Sequence, residues 1–340
     1  MKAAPIRMRA MDTPETAIMN SRLVRWSPFS GAVYGHLLLL ICMLICNPIG
    51  SGAFAQDQDV QFDRLMRMLN DPVPIYRKTA ANALSYEGRR AVQPLINALN
   101  DTDQSVLETV IYSLARLRDN RAIAPLSEVL QKQPIASVRA EAASVLAEFD
   151  DAEVVEALIK GLQDNDDVVV ESAISGLGHF SNDERVVLPL IAVLANKNSQ
   201  IRSAAATAMV EVNDRRVVSP LVAALKDSDP YVRRAAASGL LKFASDNPEV
   251  AKALLSGLAL RDVDIIRGAY QFFIRKGVAN SEGALVVALE QDGDKEMAEY
   301  FINSGNPKLT EAARKWALDR GYQVKSAETP VQRTWRADPN

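Results

Sequence analysis

Five arginines, Arg77, Arg139, Arg202, Arg233 and Arg267, stand at equivalent places in successive stretches of a 340-residue chain. A column of guanidinium groups can do one of two things. It can present a track for phosphates or acidic peptides. It can also form a ladder, each planar fork bridging loop carboxylates such as Asp227 or Asp229 and the C-terminal carbonyls of a neighbouring helix. Leu107 and Val170 interrupt the column in the second and fourth units. A continuous anion track is therefore disfavoured, and a structural arginine ladder is the expectation.

Other chemistry is sparse. His179 could act as a general base, but it falls late in a helix at the wheel position shared by Arg116, Lys242 and Lys276, which faces solvent. No second histidine or cysteine downstream of the leader completes a metal or catalytic site around it. The acidic stretch "QDNDDVVVE" (163–171) has the composition of a calcium loop without its glycine or its terminal-glutamate spacing. Helix capping and solubility account for it. No catalytic residue, cofactor site or metal site is expected, and the chain reads as a non-enzyme.

The elements that carry these residues repeat at about 31 residues. "AVQPLINAL" (91–99), "AIAPLSEVL" (122–130), "VVEALIKGL" (154–162), "VVLPLIAVL" (186–194), "VVSPLVAAL" (217–225) and "VAKALLSGL" (250–258) are one segment, with degenerate copies at "QFDRLMRML" (61–69) and "EGALVVAL" (282–289). One leucine column runs from Leu65 to Leu285, and a second follows four residues later from Leu69 to Leu289. Each unit has a second half, clearest in "SDPYVRRAAASGLL" (228–241). Placing Val232 at zero on a 100° wheel gathers Ala235, Ala236, Gly239, Leu240 and Phe243 on one arc, with the arginines to its side. Asp103, Asp166, Asn198 and Asp229 sit where an N-cap belongs. Every unit thus reads as helix A, an Asp-rich turn and helix B. Pro94, Pro125, Pro189 and Pro220 are expected to kink their A helices, whereas Ala157, Ala253 and Ala284 leave theirs straight.

These residues resemble the HEAT-repeat family, especially its short bacterial, phycobilisome-lyase-like form, over residues 60 to 308. "DSDPYVRRAAASGL" and "RRVVSPLVAAL" are the most specific stretches. The resemblance implies an all-α fold: a right-handed α-solenoid of about eight two-helix repeats, its B helices lining the concave side. Periodicity alone implies stacked two-helix units. The family also includes bilin lyases, DNA glycosylases and di-iron hydroxylases. The last need several His-Glu pairs that this chain lacks.

Both ends differ from the middle. Arg22 and Arg25 precede "HLLLLICMLIC" (36–46), and a small-x-small site follows at Ala53-Phe54-Ala55. Residues 1–55 have the layout of a secretory signal peptide, with Met19 as an alternative start. An uncleaved membrane anchor is the competing reading, although the apolar run is shorter than the roughly 20 residues that span a bilayer. Cleavage would remove five of 39 basic and two of 42 acidic residues, leaving 34 against 40, a net charge of −6. Both cysteines, Cys42 and Cys46, would leave with it. At the other end, residues 309–322 read as a capping helix and 323–340 as a mobile tail.

The expected product is an exported, periplasmic or secreted monomer that binds a protein or peptide partner as a cell-envelope scaffold. No nucleic acid is expected on an acidic chain, and no membrane after cleavage. An enzyme or enzyme accessory of the bilin-lyase type is the alternative. The helix-B position at about 240°, holding Asn82, Tyr112, Ser144, Ser175, Thr207, Ser238 and Phe272, should face the groove. Tyr112 and Phe272 are candidate partner anchors there, unless the bulky seventh unit buries Phe272. Ile111 and Ile174, near 140°, are further candidates or else pack against the next repeat.

Overall fold

The computed structural model describes residues 51–326 and Trp335, with side chains from residue 59 onward. The expected leader, residues 1–50, lies outside the described residues. Backbone contacts divide the chain into residues 1–59 and 60–340. The first unit contributes the start of helix α1 (Ser51–Leu69), which runs without a break through the expected cleavage site at Ala53–Ala55. Among the described residues, no helix is long and apolar enough to cross a membrane.

Seventeen α-helices are described, and sixteen of them alternate as A and B. The A helices are α1, α3 (Val92–Ala98), α5 (Ile123–Lys132), α7 (Glu153–Gly161), α9 (Val187–Val193), α11 (Val218–Ala224), α13 (Pro248–Ala259) and α15 (Glu282–Asp292). The B helices are α2 (Pro74–Leu84), α4 (Gln104–Leu117), α6 (Ala136–Leu146), α8 (Asp167–Gly178), α10 (Ser199–Ala208), α12 (Pro230–Leu240), α14 (Val263–Lys276) and α16 (Lys295–Ile302). The last helix, α17 (Pro307–Asp319), closes the stack.

The turns start the B helices. Asp103 accepts from the backbone N–H groups of Ser105 and Val106, Asp229 from those of Tyr231 and Val232, and Asp166 and Asn198 cap α8 and α10. Each such cap is worth about 1 kcal/mol. The first leucine column is buried in all eight units. Successive B helices pack on one another along the stack, whereas most A helices make their main contacts with the B helix of their own unit. The B row is the tighter one, and its small residues allow this. A Cβ on Gly268 of α14 would lie 2.3 Å from the Arg234 carbonyl oxygen of α12.

The prolines act at the start of their helices. In each of the four units that carry one, a 3-10 turn precedes the α-helix: Gly88–Ala91, Asn120–Ala122, Glu184–Val186 and Arg215–Val217. Proline cannot donate the i→i−4 bond, so the upstream turn winds tighter instead of the helix bending in its middle. Helices α7 and α15, with alanine at that place, have no such preface, and the 3-10 turn Leu241–Phe243 upstream of α13 continues the end of α12 and does not adjoin α13.

At the C-terminal end, Leu309, Ala313, Trp316 and Ala317 of α17 are buried, and Tyr322 stacks on Trp316 at 5.5 Å. Of the expected tail, residues 323–326 and Trp335 are described. Lys325 donates its N–H to Glu299 and accepts from Asn303, and Val324 and Trp335 pack against the core.

Candidate binding surface

The arginine column is a set of rungs. Arg77 donates through Nε and Nη2 to both oxygens of Asp101 in the next unit, at 2.6 and 2.7 Å. Arg139 holds Asp164 in the same way at 2.7 and 2.8 Å, and Arg202 holds Asp227 at 2.8 and 2.7 Å. Each Nη1 also donates to two carbonyls of the turn before its own helix, as Arg139 does to Gln133 and Pro134. Those carbonyls lie between the two helices of the arginine's own unit, Gln133 being the C-cap of the preceding helix α5. The last rungs shift: Arg233 reaches Asp262 and Asp264, and Arg267 pairs with Asp292. Arginine hydrogen bonds hold the Asp101, Asp164 and Asp227 carboxyls below the usual range.

The two gaps in the column are matched by changes opposite them. Leu107 and Val170 are buried, and the turn positions equivalent to Asp101, Asp164 and Asp227 in the third and fifth units hold Gln133 and Asn196. Where the cation is missing, so is the carboxylate. The column is consumed in joining units, and it offers no free anion track.

The exposed face of the helix-B row is different. Asn82, Tyr112, Ser144, Ser175 and Thr207 are exposed along it, while Ser238 and Phe272 are half-buried. Between α8 and α10, reaching the start of α12, lies a groove of about 520 Å³ lined by Glu171, Ser175, Gly178, Ala204, Thr207 and Tyr231, among others. Tyr112 is 52% exposed and Tyr231 63%. Two of the sequence candidates are core instead: Ile111 and Ile174 are essentially inaccessible, packed where adjacent B helices meet. Phe272 packs against the core and meets Phe273 edge-on at 5.6 Å. It is held by the bulky seventh unit, where burial also pushes the Tyr270 phenol up to about 12.

A family model for HEAT repeats matches residues 62–136, 125–209 and 187–272. The chain belongs to the HEAT-repeat family. No curated protein sequence matches it. Among solved structures, this HEAT chain is similar to the complex of CpcE and CpcF of phycocyanin lyase from Nostoc, at 22% identity over 44% of this chain and 98% of that one, TM-score 0.38. It is also similar to YibA of Escherichia coli, at 20% identity over 79% and 98% with TM-score 0.49. A third is human deoxyhypusine hydroxylase, at 19% identity over 79% and 98% with TM-score 0.36.

Within the HEAT repeats, the other sequence candidates are accounted for locally. His179 is exposed at the C-cap of α8. Three of the four carboxylates of the acidic stretch are occupied: Asp164 by Arg139, Asp166 by the α8 N-terminus, Asp167 by Asn198. Among the described residues, no group of three or more His, Cys, Asp or Glu side chains is placed to hold a metal.

Two features escaped the sequence reading. A second series of arginines, Arg121, Arg185 and Arg216, pairs with Asp119, Asp183 and Asp214 two residues earlier, at the 3-10 turn of three of the four proline-bearing HEAT units, and in the fourth Arg90 pairs with Glu87. The recurring Asp-x-Arg four residues ahead of proline was its signal. The other is Tyr231, an aromatic lining the groove in the second residue of α12.

Proposed function

We propose that this HEAT solenoid is a non-enzymatic scaffold that binds a protein or peptide partner along its exposed helix-B face. The observation that carries the reading is the groove between α8 and α10, lined by small residues and by the exposed Tyr231, with Tyr112 exposed further along the same row on α4. A merely solvated face gains nothing from large rigid aromatics, whereas an interface gains anchors of low entropic cost. The basic and apolar pattern before Ala55 supports a place in the cell envelope.

Site-specific photocrosslinking tests this. Probes at Ser175 and Thr207 on the helix-B face should capture the same partner in the native host, and a probe at Leu188 on the helix-A row should not. Equal capture from Leu188, or none from the helix-B probes, would overturn the reading. A coloured covalent adduct on co-expression with a bilin would replace it by the lyase-accessory alternative.

A further inference from the structure

The helix-B face carries a charge imbalance that the ladder does not. The ladder carboxylates Asp101, Asp164, Asp227, Asp264 and Asp292 each sit within ion-pair distance of an arginine. Glu108 on α4, Glu141 on α6, Glu148 just after α6 and Glu171 on α8 have no cation at that distance among the described residues. Gln104 donates to Glu108 at 2.9 Å, and that neutral bond leaves the charge uncompensated. Three of the four are neighbours: Glu141 is held above the ordinary glutamate range by burial and by repulsion from Glu108 and Glu148.

Cations along the same face stand outside ion-pair distance of these glutamates, held by other groups or lying toward its ends. Arg116 stacks over the Tyr86 ring at 4.2 Å, and Lys242 donates to the Val212 carbonyl at 2.8 Å. Arg234 is tied to Asp264 and Asp292. His179 is exposed beside the strip, and Lys78 and Lys276 belong to α2 and α14. The middle of the face is therefore an uncompensated acidic strip that leads into the groove.

Spacing restricts what fits. Packed helices stand roughly 10 Å apart, so the strip offers one carboxylate step per unit at about that interval. A polyproline II segment rises about 3.1 Å per residue with three residues per turn, which returns every third side chain to the same side after about 9 Å. Ser175, Gly178, Ala204 and Thr207, which line the groove, are small or short side chains that leave room for a backbone.

Resting on the helix-B-face reading above, we propose that the strip from α4 to α10 docks an extended, polyproline-like segment of a partner protein bearing Lys or Arg at every third position. Glu108, Glu141 and Glu171 take the basic side chains, and the groove takes the backbone where the segment passes from α8 to α10.

The test uses fluorescein-labelled dodecapeptides (Lys-Pro-Ala)4 and (Glu-Pro-Ala)4, and a third with the lysines of the first clustered at one end, in anisotropy titrations with the full chain. The lysine peptide with period three should bind at least tenfold tighter than either control. The E108Q/E141Q/E171Q variant should lose at least tenfold of that affinity and much of its salt dependence, with circular dichroism unchanged. Equal binding of the glutamate peptide, indifference to lysine spacing, full competition by spermine at equal charge, or an unaffected triple variant would overturn the proposal. Thr207→Trp blocks the groove whatever the partner's charge. Loss of native crosslinks in that variant, but not in the triple glutamine variant, would leave the helix-B-face reading standing and remove only the basic segment.

Discussion

Arg139 reaches from α6 to Asp164 in the following turn and grips both carboxylate oxygens, at 2.7 and 2.8 Å, with only 14% and 12% of the two side chains exposed. Removing the arginine strands a largely desolvated carboxylate and frees two turn carbonyls. Arg139→Leu should therefore cost about 2 kcal/mol, below the figure for a fully buried pair because water still reaches the edge. The chain already contains apolar rungs, Leu107 opposite Gln133 and Val170 opposite Asn196. The double variant R139L/D164Q copies the first of these and should be more stable than R139L alone in urea titration. Additive losses would refute the pairing of the two positions.

The same rungs set the response to acid. Asp101, Asp164 and Asp227 titrate below their ordinary range in the folded chain, chiefly through arginine hydrogen bonds. A depressed folded value means that the native state binds fewer protons than the unfolded one. Stability from the rungs is complete above the unfolded value of about 3.9 and is lost as pH falls through the folded values. The melting temperature, with respect to these groups, should be flat from pH 7 to about 5 and then drop. The drop should be shallower in R139L/D164Q.

Glu141 has the opposite sign. Burial first, and then Glu108 and Glu148, raise its folded value above the ordinary one, so its ionised form opposes folding at neutral pH. Glu141→Gln should raise the melting temperature by a few degrees at pH 7, and the difference should close as pH falls below the ordinary glutamate value of about 4.3. A lower melting temperature for the variant at pH 7 would show an attractive contact instead.

How far the sequence carried the structure follows from how local each cause is. The leucine columns, the Asp caps and the cap helix were legible because periodicity and first-turn chemistry act within one unit. The partners of Arg233 and Arg267 were not, since the turn shifts near Arg261 and the contacts cross between units. Ile111 and Ile174 show the same limit: a wheel angle gives a direction, and only the neighbouring helix decides whether that direction is filled. The four glutamates were visible as letters, but their lack of cations is a property of the assembled face.

Tyr112 and Phe272 occupy one column and should separate on substitution. Tyr112 is exposed on α4, so Tyr112→Ala should change stability by no more than about 0.5 kcal/mol and weaken partner capture. Phe272 packs on Phe273 and the core, and Phe272→Ala should cost about 2 kcal/mol, less than for a fully buried phenylalanine. Thermal melts alongside crosslinking yields decide the matter. A stable Phe272→Ala with lost capture would make Phe272 an anchor after all.

Two glycines give the last prediction, because alanine should act on them in opposite senses. Alanine in a helix is favoured over glycine by about 1 kcal/mol wherever its methyl group meets nothing. A Cβ on Gly283 of α15 has no atom within 4 Å, so Gly283→Ala should stabilise by up to about that amount. On Gly268 the added carbon would stand 2.3 Å from the Arg234 carbonyl oxygen and 2.8 Å from the Ala237 Cβ. Backbone meets it there, so α12 and α14 must move apart. The movement also strains the links of Arg234 to Asp264 and Asp292, which join the last three two-helix units. Overpacking of this kind costs about 1–3 kcal/mol, enough to exceed the helix gain. Gly268→Ala should accordingly be destabilising overall, with urea-induced unfolding beginning earlier and hydrogen exchange rising first in α12 and α14. If it proved as stabilising as Gly283→Ala, the close approach of those two helices would be disproved.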